Sequence, residues 1–178
     1  ALTLPVCGYV FCMPCKSNYL GGDIISGMLA TGLPEKEQIS VFFDIGTNGE
    51  LVVGNRDFLL CGAGAAGPAL EVGVVKTGLR AMVGAVDRVR IKNGEIHCHV
   101  IGDVPPKGIC GSGIVDLIAE LFLSGMIDLR GRLQPDVSPL IAADIETGEL
   151  SVAYAPGLRF YQSDIDEFIR TKSAAYTM

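Results

Sequence analysis

"VFFDIGTNGELVVGN", residues 41–55, decides how the whole chain is read. "ISVFFDI" is rich in β-branched and aromatic residues and reads as a buried strand, and "ELVVGN" reads as a second one. Between them Asn48-Gly49 is the strongest short hairpin signal, because both turn positions accept positive φ. The loop Asp44-Ile-Gly-Thr-Asn-Gly-Glu50 carries two readings. In the first it only reverses the chain. In the second it aims successive amides at a phosphate, and Gly46 and Gly49 remove the Cβ atoms that would hold the backbone away from the anion. Thr47 then offers a hydroxyl. Asp44 or Glu50 holds Mg²⁺ through water, which magnesium gives up reluctantly. Residue chemistry alone leaves both readings open.

Working outward, "NRD" is a turn and "FLLCGA" a third strand, so the centre is a three-strand meander. Before it, "GGDIISGMLATG" reads as a short helix with Asp23 near its start, and Gly22, Gly27 and Gly32 permit close packing at a cost in helix propensity. "LPEKEQ" reads as a polar connector. After the meander, "CGAGAAGPAL" is a Gly/Ala-rich crossing that feeds a helical turn with Pro68 near its start. "DRVRIKNGEIHCHVIG" reads as a second hairpin around Asn93-Gly94. "SGIVDLIAELFLSG" is a helix with Ser112 as N-cap, Ile114, Leu117, Ile118 and Leu121 on one face and Gly125 at C′. "LSVAYAPGLRFYQ" holds one or two strands. The final helix, "SDIDEFIRTKSAAYTM", takes Ser163 and Asp166 as a capping box and Ile165, Phe168 and Ile169 as its apolar face. Strands joined by hairpins and mixed with helices make an α/β chain unlike a pure Rossmann unit.

The 178 residues suit one compact domain, and 49% hydrophobic against 19% charged residues suits a buried core. A net charge of −6 without a Lys/Arg run speaks against a nucleic-acid partner. No apolar run reaches the roughly 18–20 residues that span a bilayer. The first residues lack a basic n-region and a small-x-small cleavage site, so they do not read as a signal peptide. The chain begins without Met, which suggests a fragment or a processed product. Six cysteines without a disulfide-framework pattern suggest a reducing cytoplasm.

Three further stretches are weaker candidates. Gly64, Gly67 and Glu71 lie in "CGAGAAGPALE", either an anion approach or a closely packed crossing. Gly111, Ser112 and Gly113 start a helix, where an anion site and a plain Ser cap look alike. Cys7, Cys12 and Cys15 have the C-x4-C-x2-C spacing of plant-type ferredoxins. However, Tyr9, Val10 and Phe11 alternate as in a strand, and buried free thiols are the expected state. His97 and His99 share a strand face and could pin a metal, though a solvated hairpin face explains them equally.

"NYLGGDIISGMLATG", "FFDIGTNGELVVGN", "CGAGAAGPALE", "GLRAMVGAVDRV" and "ICGSGIVDLIAELFLSGMID" occur in the order and spacing of one family. From about residue 14 to the end the chain resembles the reductive activators of corrinoid proteins, including the methylamine methyltransferase activators. That resemblance implies a ribonuclease-H-like fold of the acetate and sugar kinase, heat-shock chaperone and actin superfamily. It implies ATP and Mg²⁺ as cofactors and the reduction of a corrinoid methyltransferase protein from cobalt(II) to cobalt(I). An iron–sulfur cluster is expected in a ferredoxin-like domain not among these residues. Asp44, Gly46, Thr47, Asn48 and Gly49 then resemble the second phosphate loop, with Asp44 placing the metal and Glu50 beside it. Gly22 and Asp23 resemble the start of the connecting helix across the cleft.

The chain departs from the family in three places. No Asp-x-Gly-Thr hairpin stands upstream of residue 39, no adenosine-binding Gly-Gly turn follows, and Val72 replaces a Gly after Glu71. The expectation is therefore the middle piece of a longer protein, a single partial ATPase-type domain over residues 1–178. A small-molecule kinase of the same superfamily and a non-catalytic domain that docks a partner or forms a homodimer are the alternatives.

Overall fold

A computed structural model describes residues 11–15, 20–45, 48–64 and 73–177. The chain divides into two compact units. The first contains helix α1 (Gly22–Ala30), a 3₁₀ turn at Leu33–Glu35, and strands β1 (Ser40–Ile45), β2 (Gly49–Gly54) and β3 (Leu59–Gly64). The strands form the expected antiparallel meander in the order β1-β2-β3. Helix α1 covers one face of it, with Leu20, Ile24, Met28, Leu33 and Val52 as core and Ile25 and Phe42 packed against them. Gly27 makes this approach possible, because a Cβ there would strike the ring of Phe42. A helical Gly costs about 1 kcal/mol against Ala. Burying a side chain such as Ile24 or Val52 contributes about 1.5–3 kcal/mol, so the packing outweighs that loss.

Three local expectations need correction here. "LPEKEQ" is more than a polar connector, since Gly32 takes a left-handed φ of 62° and turns Leu33 into the core. Strand β1 is half-buried, with Val41, Phe43 and Ile45 exposed, because it forms the edge of a sheet that α1 covers on one face. The turn is not the expected Asn48-Gly49 pair: Ile45 pairs with Gly49, so Gly49 already belongs to β2. Gly49 does not take a positive φ. The "NRD" turn holds as expected, because the Asn55 side chain accepts from the amides of Asp57 and Phe58 and donates to Glu37 O.

The second unit contains β4 (Ala85–Lys92), β5 (Glu95–Val100), β6 (Gly108–Ile109), α2 (Gly111–Leu123), β7 (Ile141–Ala143), β8 (Leu150–Ala155), β9 (Leu158–Tyr161) and α3 (Gln162–Tyr176). Its sheets run β5-β4-β6 and β7-β8-β9. The β4–β5 hairpin turns at Asn93-Gly94 as expected, with φ of 53° and 81°. Ile114, Leu117, Ile118 and Leu121 of α2 join Val86, Val89, Ile109, Val152, Phe160 and Ile165 in one core. Strand β6 pairs with β4 only at Ala85 and Val86. Beyond that point Asp116 and Glu120 of α2 take the place of a neighbouring strand, their carboxylates accepting from Val89 N at 3.3 Å and Ile91 N at 2.8 Å. A strand edge is thereby closed by side chains.

Both longer helices start earlier than the sequence suggests. Cys110, in extended conformation, precedes α2, so Ser112 lies inside the helix and is not its N-cap. For α3 the cap contact is Tyr161 N to Asp164 Oδ2 at 2.9 Å, in place of a Ser163–Asp166 box. The other end of α2 is as expected, with Gly125 left-handed at φ 73°. The stretch around Pro68 lies outside the described residues. Gly113 is a packing residue: a Cβ there would meet the carbonyl of Val86 and, at 2.8 Å, the side chain of Ile109. Gly113→Ala should therefore destabilise the fold by about 1–3 kcal/mol, the usual cost of overpacking, measured as a lower urea midpoint at unchanged slope.

Candidate functional site

The antiparallel register places Asp44 of β1 directly opposite Glu50 of β2. Paired residues project to the same face, which here is the face of Phe42 and Val52 that α1 covers. Phe42 meets α1 at Gly27, and one helical turn nearer the start of α1 stands Asp23. The charge of Asp23 reaches Glu50. Partial burial pushes the Glu50 carboxyl above the ordinary carboxylate range, and repulsion from Asp44 and then Asp23 adds to it. Carboxylates from β1 and α1 therefore both act on Glu50 of β2.

Gly49 at the start of β2 pairs with both Ile45 of β1 and Gly64 of β3. Strand β1 therefore ends, β2 begins and β3 ends at one end of the meander, beside Asp44 and Glu50. Gly49 is buried and Asn48 half-buried. Gly46, Thr47, Gly67 and Glu71 lie outside the described residues. Gly22 has a structural reason of its own: a Cβ there would stand 2.8 Å from Met13 Cβ and 2.9 Å from Met13 O.

This arrangement repels a bare phosphate and attracts a cation. Among the described residues no three His, Cys, Asp or Glu side chains come close enough to hold a metal by themselves. Mg²⁺ fits such a place, since it keeps several waters and takes its remaining ligands from one or two carboxylates and a phosphate.

The second unit holds the other candidates. Gly111, Ser112 and Gly113 form the first turn of α2, which has no side-chain cap, and Ser112 Oγ lies 3.3 Å from Cys110 Sγ. His99 Nδ1 pairs with Asp87 Oδ1 at 2.5 Å, while His97 stands opposite Arg90, so these histidines form an exposed hairpin face. Cys12 and Cys15 are exposed, against the expectation of burial, and Cys7 lies outside the described residues. One contact set was invisible in the sequence. Lys76 donates from Nζ to Glu149 Oε2 at 2.7 Å, lies 3.6 Å from the Tyr161 ring centroid, and donates from its amide to buried Asp164. It fixes the segment after the Gly/Ala stretch to the start of α3. No local signal links partners so far apart in the chain.

Because the folded Glu50 pKa lies above the unfolded value, this carboxyl favours the fold most below the unfolded pKa. That contribution is lost as pH rises through the folded pKa. Asp44→Asn removes one repelling charge, so the Glu50 pKa should fall toward normal in an NMR titration. An unmoved Glu50 would show that the two carboxylates do not interact.

Residues 38–178 match the family described as the C-terminal domain of RACo, the ASKHA domain. The corrinoid activation enzyme RamQ of Eubacterium limosum is 44% identical over 125 residues, which are 70% of this chain and 21% of that enzyme. The reductase of the Co(II) methylated amine-specific corrinoid protein of Methanosarcina barkeri is 25% identical over 164 residues, 80% of this chain and 30% of that protein. The solved structure of a reductive activator for a corrinoid, iron–sulfur protein matches 94% of this chain and 28% of its own, with a TM-score of 0.85 and 41% identity. The chain thus spans less than a third of the length of each of these relatives. With its α/β meander unit and most of its length matched, the chain belongs to the family of the C-terminal ASKHA domain of RACo.

Proposed function

We propose that these residues are part of an ATP-dependent reductive activator that returns a corrinoid protein from cobalt(II) to cobalt(I). The observation that carries this reading is the opposition of Asp44 and Glu50, with Asp23 in charge range, at the end of the meander where β1 and β3 finish and β2 starts. The names of the relatives support the direction of the chemistry. In this reading residues 1–178 are one part of an ATPase-type domain. The remaining ATPase segments and a ferredoxin-like domain with its iron–sulfur cluster belong to the longer protein.

Mg²⁺-ATP supplies the free energy of phosphoryl cleavage when bound. The protein's part is positioning and electrostatics. Asp44 would hold the hydrated metal through water, with Glu50 beside it. The loop amides, Gly46, Thr47, Asn48 and Gly49, direct donors at phosphate oxygens. Gly22 and Asp23 close the same end from α1. Gly64, Gly67 and Glu71 belong to the Gly/Ala-rich stretch that follows in sequence. Within the second unit, Gly111, Ser112 and Gly113 offer the amides at the start of α2 as an anion contact of their own. The partner is a corrinoid methyltransferase protein, the setting is the cytoplasm, and a homodimer is compatible with this role. Among the described residues no helix is long and apolar enough to cross a membrane.

Asp44→Asn in the intact protein should abolish partner-stimulated ATP turnover while leaving the thermal unfolding temperature close to wild type. Undiminished turnover would remove Asp44 from the site. Phosphoryl transfer to a sugar or acid without any corrinoid dependence would instead identify a small-molecule kinase.

A further inference from the structure

Cys12 and Cys15 form a C-x-x-C pair that the nucleotide site does not use. Both thiols are exposed, whereas Cys110 is buried and Cys98 is half-buried with its thiol on Tyr154 O at 3.2 Å. Residues 11–15 have no regular secondary structure, and among the described residues no hydrogen bond holds them. Met13, between the two thiols, stands close to Gly22 at the start of α1, where an added Cβ would lie 2.8 Å from Met13 Cβ. Accessible cysteines three apart are the arrangement from which a short disulfide ring closes, once the segment turns to bring the Cα atoms within bridging range.

We propose that Cys12 and Cys15 are a redox-active dithiol that closes to an intrachain disulfide by exchange with a low-molecular-weight disulfide. One thiolate attacks a sulfur of the external disulfide and releases a thiol, leaving a mixed disulfide on the protein. The second cysteine attacks that bond, forms the Cys12–Cys15 bond and releases the second thiol. The external disulfide gains two electrons and the protein loses two electrons and two protons. Buried Cys110 and hydrogen-bonded Cys98 take no part.

The test uses the full-length protein, reduced and then incubated with oxidised glutathione under anaerobic conditions, followed by alkylation and peptide mass mapping. The expected product is a single peptide containing both cysteines, lighter by two hydrogens than its reduced form, with a Cys12–Cys15 bond and no glutathione. Cys15→Ser should trap a stable glutathione adduct on Cys12, and Cys12→Ser one on Cys15. Stable adducts on both cysteines of the wild type would overturn the proposal. So would a bond from either one to another cysteine, or both thiols remaining alkylatable while exposed Cys61 reacts.

Discussion

Asp44 and Glu50 face each other across a single pair of hydrogen-bonded strands, and like charges so placed repel. The first unit is built around that constraint. The α1 packing at Phe42, Val52, Ile24 and Met28 fixes the sheet face on which the two carboxylates stand. The same packing brings Asp23 near enough to raise Glu50 further. Neither carboxylate is deeply buried, and each buried aliphatic side chain contributes about 1.5–3 kcal/mol. The apolar contacts therefore hold the repulsive pair in place without an ion. A hydrated divalent cation would relieve the repulsion, and this is the local electrostatic support for the proposed Mg²⁺-nucleotide site.

Carboxylates serve a different purpose in the second unit. Asp116 and Glu120 reach from α2 to the amides of Val89 and Ile91 and finish a strand edge that two-residue β6 leaves open. Asp164 accepts from both Tyr161 N and Lys76 N, so one buried side chain starts α3 and anchors the segment before β4. Burial raises its pKa while these amides and Lys76 oppose the rise. Such carboxylates are satisfied by fixed donors and have no need of a cation. The contrast with Asp44 and Glu50, which have each other and Asp23 for neighbours, separates architecture from candidate chemistry.

Much of this was readable from residues alone. The meander, the Asn93-Gly94 hairpin, the α2 face of Ile114, Leu117, Ile118 and Leu121, and the left-handed Gly125 all follow from local pattern. What failed were details fixed by tertiary partners. Ser112 looks like a cap, but Gly111 is already helical because the chain enters α2 from β6 at Cys110. Asn48-Gly49 looks like a two-residue turn, yet the β2–β3 pairing draws Gly49 into the sheet opposite Gly64. Cys12 and Cys15 look like packed thiols and are exposed. The candidate site was readable as a list of residues. The opposition of Asp44 and Glu50 depends on a register that only the paired strands reveal.

The most direct measurement is calorimetric titration of the intact protein with a non-hydrolysable ATP analogue, with and without Mg²⁺. The carboxylate cluster predicts binding that requires the metal and weakens sharply in its absence, because a phosphate chain alone meets three negative side chains. Equal affinity with and without Mg²⁺, or no binding in either condition, would contradict the assignment of this end of the meander to a metal-bound nucleotide.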